Sequence, residues 1–305
     1  MRRAIMASGM IESLAGRKSR KLQATGIRGS VEINSKILKK LQEWQQKEGS
    51  LPQYLELYKH LVHIQAEAKL NIPSGKPLLT KEKISATLKN GIPLLKWDAI
   101  LIDWPTFQKL FQKAANTIDE HTKPTDKKSN NVSSDTTSLQ EMTKVWFEGS
   151  SLSPWAGQHG MEEDLLSAAI HCAIKPFLTT QAEAYIKLVD QEQWRRGYCP
   201  VCGGKADFAF LDKEKGARWL LCSRCDAEWL FQRLECPYCG TTNQNDLAYF
   251  TDDSELYRLY ICQRCHTYLK AVDMRKTDSE ILLPLERVLT ADIDRQGQEK
   301  GYKGG

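Results

Sequence analysis

Eight of the nine cysteines stand in four C-x-x-C pairs: Cys199/Cys202, Cys222/Cys225, Cys236/Cys239 and Cys262/Cys265. Only Cys172 lies elsewhere. A C-x-x-C turn sets two thiolates side by side, with loop N–H groups turned toward the sulfurs. Two such turns facing each other complete a tetrahedral four-sulfur cage, with metal–sulfur bonds of about 2.3 Å for zinc. Nineteen residues separate Cys202 from Cys222, and twenty-two separate Cys239 from Cys262. Both loops suit C-x2-C-x(about 15–20)-C-x2-C, the second being slightly long. The spacing therefore predicts one site from Cys199, Cys202, Cys222 and Cys225, and a second from Cys236, Cys239, Cys262 and Cys265. A four-cysteine set suits zinc and iron alike, so two metal ions are expected and their identity stays open. Disulfides belong to oxidising compartments, and a thioredoxin-type dithiol sits at a helix start in a βαβ context that is absent here. A closed sulfur cage has no open position for water or substrate, so the chemistry it offers is structural or electron-transferring.

The elements that carry these pairs repeat. Cys199-Pro-Val-Cys-Gly203, Phe208-Ala-Phe210 and Arg218-Trp-Leu-Leu-Cys222 are followed by Cys236-Pro-Tyr-Cys-Gly240, Ala248-Tyr-Phe250 and Arg258-Leu-Tyr-Ile-Cys262. The two units start 37 residues apart and keep the same order of knuckle, aromatic strand, turn, apolar strand and knuckle, which argues for a duplicated module. Each unit reads as a zinc ribbon or rubredoxin, with metal knuckles on short antiparallel strands.

Upstream, the pattern is helical. Ile37, Leu38, Leu41 and Trp44 recur at helical spacing. Pro52 suits the first turn of a second helix, which carries Leu55, Tyr58, Leu61 and Val62. His60 and His63 lie three apart on this helix; no third ligand is in view, and a packing or surface role is expected. An amphipathic segment spans Lys81 to Lys89, and Asp103 caps a helix starting at Trp104. The stretch 122–138 is rich in Ser, Thr, Asn and Lys and reads as a flexible loop. Further helices run over Leu139–Phe147, from Met161 through Ile174, and over Gln181–Trp194, with Ser151–Gly157 as a loop between the first two. Cys172 falls on an apolar helix face and reads as packing. One more helix fits from Pro284 to about Gln298, and Gly301–Gly305 reads as a loose end.

The fold class is then α+β. Residues 1–30 form a basic, disordered leader and 31–194 an all-α helical domain. Residues 195–276 hold two tandem ribbon modules (195–233 and 234–276), and 277–305 a C-terminal helix and tail. With 305 residues, 41% of them hydrophobic, the chain can build two or three compact domains. No apolar run reaches the roughly 18 residues of a membrane span, no secretory signal opens the chain, and a cytoplasmic location is expected. The formal charge is +5, but the first 30 residues carry +6 of it. The ribbon region 195–276 holds 13 basic and 11 acidic residues, far less basic than a nucleic-acid-binding face. Nucleotide-loop, nucleophile-elbow and zinc-protease motifs are absent, so an enzyme is not expected.

The ribbon sequence and its flanks resemble the formate dehydrogenase accessory protein family, FdhE. The resemblance lies in Tyr198-Cys-Pro-Val-Cys-Gly203, Gly216-Ala-Arg-Trp-Leu-Leu-Cys-Ser-Arg-Cys225, Glu228-Trp229, Cys236-Pro-Tyr-Cys239, Cys262-Gln-Arg-Cys265, Thr267-Tyr-Leu-Lys270 and Gln298-Glu-Lys-Gly-Tyr302. A softer match runs from Leu51 to Lys113 and includes Lys76-Pro-Leu78 and Ile92-Pro-Leu94. The resemblance implies a cytoplasmic, non-catalytic assembly factor. Its partner would be the formate dehydrogenase catalytic subunit, which carries molybdenum or tungsten cofactor and an iron–sulfur cluster. It also implies rubredoxin-like sites built from the eight paired cysteines. A homodimer is a further partner to test. Arg218, Arg224, Trp229 and Arg264 are candidate partner contacts, because Trp and Arg often dominate interfaces; alternatively Trp229 and Trp219 fill the ribbon cores. A zinc-ribbon nucleic-acid binder and a rubredoxin-like electron carrier are the competing classes.

Overall fold

The computed structural model describes residues 2–5, 29–73, 75–122 and 135–305. The chain divides into two compact units. One comprises Arg28–Lys76 with Leu95–Ala184; the other comprises Pro77–Leu94 with Tyr185–Gly305 and the strand near the N-terminus. The boundary expected at 194 thus falls at about 184. Residues 77–94, read from their periodicity as part of the helical domain, join the cysteine-rich unit.

The first unit is helical throughout its described elements: α1 (Ser30–Glu48), α2 (Gln53–Lys69), α4 (Trp104–Thr122), α5 (Thr136–Glu148), α6 (Ser153–Gln158) and α7 (Glu163–Tyr185, whose last residue passes to the other unit). Side-chain caps set two starts: Asp103 accepts from the Thr106 N–H at 3.0 Å, and Asp135 from that of Ser138 at 3.0 Å. Ile37, Leu41, Phe107, Phe111, Leu166 and Ile170 are buried in its core.

Two expectations change here. The loop read at Ser151–Gly157 contains α6, whose first turn accommodates Pro154. The separate helix read at Gln181–Trp194 does not form: α7 runs unbroken through Pro176 to Tyr185, and only the short 3-10 turn Ile186–Leu188 follows. Proline at 176 cannot donate to the carbonyl of Cys172. The Gln65 side chain, from α2, supplies that missing donor at 3.4 Å.

The second unit begins with α3 (Lys81–Lys89), capped by Thr80. Its sheet is built from β2 (Ala206–Leu211), β3 (Arg218–Cys222), β4 (Glu228–Phe231), β5 (Leu247–Thr251), β6 (Tyr257–Cys262) and β7 (Thr267–Asp273). Each ribbon is a three-stranded antiparallel meander, β2-β3-β4 or β5-β6-β7. The two meanders join through a parallel pairing of β2 with β7, in register Phe208↔Lys270 to Leu211↔Asp273. A short β1 (Arg2–Ile5) extends the far edge beside β5, within the stretch read as a disordered leader; the rest of that leader up to residue 28 lies outside the described residues. So does most of the loop read at 122–138.

The single helix expected from Pro284 is two, α8 (Leu283–Leu289) and α9 (Ala291–Glu299). Each covers one ribbon. Leu283 packs with Phe208, Phe210, Trp219, Leu221, Leu230 and Val272, while Ile293 packs with Ala248, Leu259, Ile261 and Tyr268. Gly301–Gly305, read as loose, contributes β8 (Lys303–Gly304), parallel to β7 at Thr267 and Tyr268. The β2 ladder starts only at Lys270, so this end of β7 offers free backbone groups to β8.

Asp273 closes β7 with no exposed surface and binds Arg258 at 2.6 Å and Arg275 at 2.7 Å. Removing one member of a buried pair strands the others without a counter-charge. Replacing Asp273 with Ala is expected to cost about 3–5 kcal/mol of stability, read as a lower denaturant midpoint of the full chain.

Candidate functional site

Each ribbon presents its first knuckle on the turn before its first strand and its second on the turn between its last two strands. Cys222 and Cys262 are the final residues of β3 and β6. The residue after the second cysteine of every pair has positive φ: Gly203 (72°), Asp226 (54°), Gly240 (69°) and His266 (53°). This left-handed residue turns the chain back so that loop N–H groups face the sulfur. Glycine takes it without strain, and Asp and His are among the residues that tolerate it. Accordingly the Val201 N–H points at Cys199 Sγ and the Arg224 N–H at Cys222 Sγ, both at 3.4 Å.

The knuckles close into two groups. Cys199, Cys202, Cys222 and Cys225 form one, and Cys236, Cys239, Cys262 and Cys265 the other; within each group all four sulfurs lie within 4.8 Å of one another. Facing pairs are Cys199–Cys225 at 3.7 Å, Cys202–Cys222 at 3.4 Å, Cys236–Cys265 at 3.7 Å and Cys239–Cys262 at 3.7 Å. A disulfide needs about 2.05 Å. A tetrahedron with bonds of about 2.3 Å has an edge of about 3.8 Å, so the groups fit a metal of zinc or iron size. Burial drives the Cys199 and Cys225 thiols far up, while hydrogen bonds, first from Cys199, draw Cys202 down. Four thiols in this space do not ionise together unless a cation sits among them.

The groups differ in exposure. All four cysteines of the first are buried; in the second Cys239 is exposed and Cys265 half-buried. The first is braced on several sides. Leu94 N–H donates to the Pro200 carbonyl at 3.0 Å, and Tyr198 hydroxyl to the Gly91 carbonyl at 2.7 Å. From α8, Arg287 donates to the Cys222 carbonyl at 2.9 Å and pairs with Asp226 and Asp207. Gly197 lies so close to the second group that a Cβ there would meet the Pro237 carbonyl oxygen at 1.8 Å. The sequence carried signals for these supports only in the Gly or turn-tolerant residue after each pair.

The candidate contacts separate. Trp229 has no exposed surface, and its ring N–H donates to the Arg196 carbonyl at 2.8 Å. Arg218 is 2% exposed. Neither lies on the surface, so the reading of Arg218 as an exposed contact is corrected, and Trp229 takes the alternative reading of a ribbon-core residue, buried as Trp219 is. Arg224 is half-buried and Arg264 exposed. His60 bonds the Glu56 carbonyl and lies with its ring tilted against that of His121, and exposed His63 pairs with Glu67; among the described residues neither joins a metal-ligating cluster. Burial pushes the Cys172 thiol up to about 12, and it donates to the Leu61 carbonyl.

A helical unit and a duplicated four-cysteine ribbon sharing one sheet define a double-ribbon protein whose two sites are closed by sulfur alone. The FdhE central domain matches residues 198–233. An FdhE homologue of Aquifex aeolicus is 32% identical over 228 residues, covering 73% of this chain and 76% of that protein. One from Shewanella baltica is 25% identical over 266 residues, covering 84% and 81%. The crystal structure of the FdhE protein from Pseudomonas aeruginosa shares the fold, with a TM-score of 0.57 at 18% identity over 89% of this chain and 92% of that one. The chain belongs to the FdhE family. Among the described residues no helix is long and apolar enough to cross a membrane.

The difference in burial predicts two rates of metal release. From chain loaded with zinc at both groups, the second group is expected to lose its ion first to a chromophoric chelator, and anaerobic alkylation mapped by mass spectrometry should label Cys239 before any other paired cysteine.

Proposed function

We propose that this protein is a non-catalytic assembly factor for the catalytic subunit of a formate dehydrogenase, holding a zinc or iron ion in each four-cysteine group and acting in the cytoplasm. The observation that carries this reading is membership of the FdhE family together with all eight paired cysteines in ligand-ready geometry. A chaperone for a metalloenzyme subunit needs a stable surface more than a reactive centre, and closed sulfur cages supply rigidity without opening a substrate position. Metal binding would fold the ribbons, since structural sites of this kind contribute on the order of 10–16 kcal/mol.

The partner surface is taken to be the exposed rim of the second group with Arg264 as its principal contact, and half-buried Arg224, on the Cys222–Cys225 knuckle of the first group, as a secondary contact. Arg264 sits between Cys262 and Cys265 on a knuckle open to solvent, where a guanidinium can take a carboxylate in two hydrogen bonds. No observation favours the nucleic-acid reading, given the balanced charge of the ribbon region.

Affinity capture from an anaerobic lysate of the protein's own host tests this function. A formate dehydrogenase catalytic subunit is expected in the eluate, and lost when Cys222 and Cys225 are both replaced by Ser. Arg264→Glu should weaken capture at least tenfold with metal content intact. Retention of nucleic acid in place of any oxidoreductase would sink the assembly-factor reading.

A further inference from the structure

The duplication places two arginines at the same position, and only one of them has a carboxylate. Arg218 is the first residue of β3 and Arg258 the second of β6, each four residues before the third cysteine of its group. Their cross-strand partners correspond as well, Phe231 for Arg218 and Ala271 for Arg258. Two residues further on, the second ribbon has Asp273 and the first has Arg233. Arg258 therefore finds a buried carboxylate at 2.6 Å. For Arg218 the equivalent position is the exposed Arg233, whose charge repels it, and Arg218 makes no ion pair among the described residues.

A guanidinium 2% exposed with no carboxylate at ion-pair distance is costly; burial raises the Glu235 carboxyl, and the Arg218 charge, acting through space, offsets part of that rise. Arg218 offsets part of that cost with hydrogen bonds to the carbonyls of Gln232 and Glu235, and by lying over the rings of Phe231 and Tyr260. Its Nε–H has no partner. Burial draws the guanidinium down, to about 10, which leaves it cationic at neutral pH. The unmatched charge faces the neighbouring ribbon. Arg218 lines a small pocket together with Cys236, Cys262, Leu247 and Tyr260, and Glu235, whose carbonyl it binds, directly precedes Cys236. A divalent metal with four thiolates carries a net charge of −2. The arginine that braces the first group, Arg287, is already matched by Asp207 and Asp226.

We propose that Arg218, a residue of the first ribbon, is the counter-charge of the second four-cysteine site and tightens that site's hold on a divalent metal. It is a positioning residue that reaches the metal only through the thiolates. The proposal rests on the reading of both groups as metal sites.

The test is zinc release from the full-length chain, loaded at both groups, into an excess of a chromophoric chelator. Arg218→Gln is expected to quicken release from the second group by about 10- to 100-fold, the range for loss of outer-shell partners of a metal site, and to leave the first group's slower release unchanged. Arg218→Lys, which keeps the charge, should release at close to the wild-type rate. So should Glu235→Gln, because Glu235 makes no ion pair with Arg218. Three results overturn the proposal: unchanged release in Arg218→Gln, equal acceleration of both ions, or an Arg218→Lys chain as leaky as Arg218→Gln. The last two would assign the residue to holding the Gln232 and Glu235 carbonyls. If Arg218→Gln yields no folded protein, Arg218→Lys decides alone, with wild-type release in support and fast release against. A wild-type chain that never takes a second zinc removes the metal reading and this proposal together; two zincs released without regard to residue 218 remove this proposal only.

Discussion

Sulfurs packed 3.4–3.7 Å from a facing neighbour repel one another once ionised, and this repulsion is what the cysteine-rich unit is built to overcome. A cation among them is the direct remedy. The rest is supplied by the fold: backbone N–H groups aimed at sulfur, and a left-handed residue closing every knuckle. Because each group draws its cysteines from both ends of its ribbon, closing the cage also fixes the strand register, the turn positions and the apolar faces that α8 and α9 cover.

The duplication has not produced two equal sites. The first is enclosed, braced by the 91–94 segment and by Arg287, and its charges are locally matched. The second keeps an exposed cysteine and borrows support from its neighbour, through the close approach of Gly197 to Pro237 and the carbonyl contacts of Arg218. A division of labour follows from this asymmetry, with one site anchoring the fold and the other facing outward.

Much of this was readable from residues alone. Loop length alone paired the C-x-x-C turns as the structure groups them, and Asp103 marked the start of its helix because a carboxylate beside free N–H groups has a local effect. What escaped the sequence depends on partners distant in the chain. The run of α7 through Pro176 leans on Gln65, 107 positions before Cys172, whose carbonyl the proline leaves without a donor. Arg218 reads as a surface contact and Trp229 as either a contact or a core residue, because Arg and Trp favour interfaces; their burial is decided by strands that pair later. The membership of residues 77–94 in the ribbon unit rests on contacts to residues about a hundred positions away. Nothing in the periodicity of β2 announces that its second neighbour is β7.

That parallel pairing sets a schedule for synthesis. β2 and β7 are separated by more than fifty residues, and the rest of both ribbons lies between them. As the chain leaves the ribosome, the first ribbon can close its four cysteines early, yet one edge of its leading strand stays unpaired until the second ribbon has followed. An open strand edge is an invitation to wrong partners, and non-local pairings form late. Metal supplied during this interval would hold the first ribbon in shape while its edge waits, so the timing of metal delivery, and not only its amount, bears on how much of this chain reaches its native sheet.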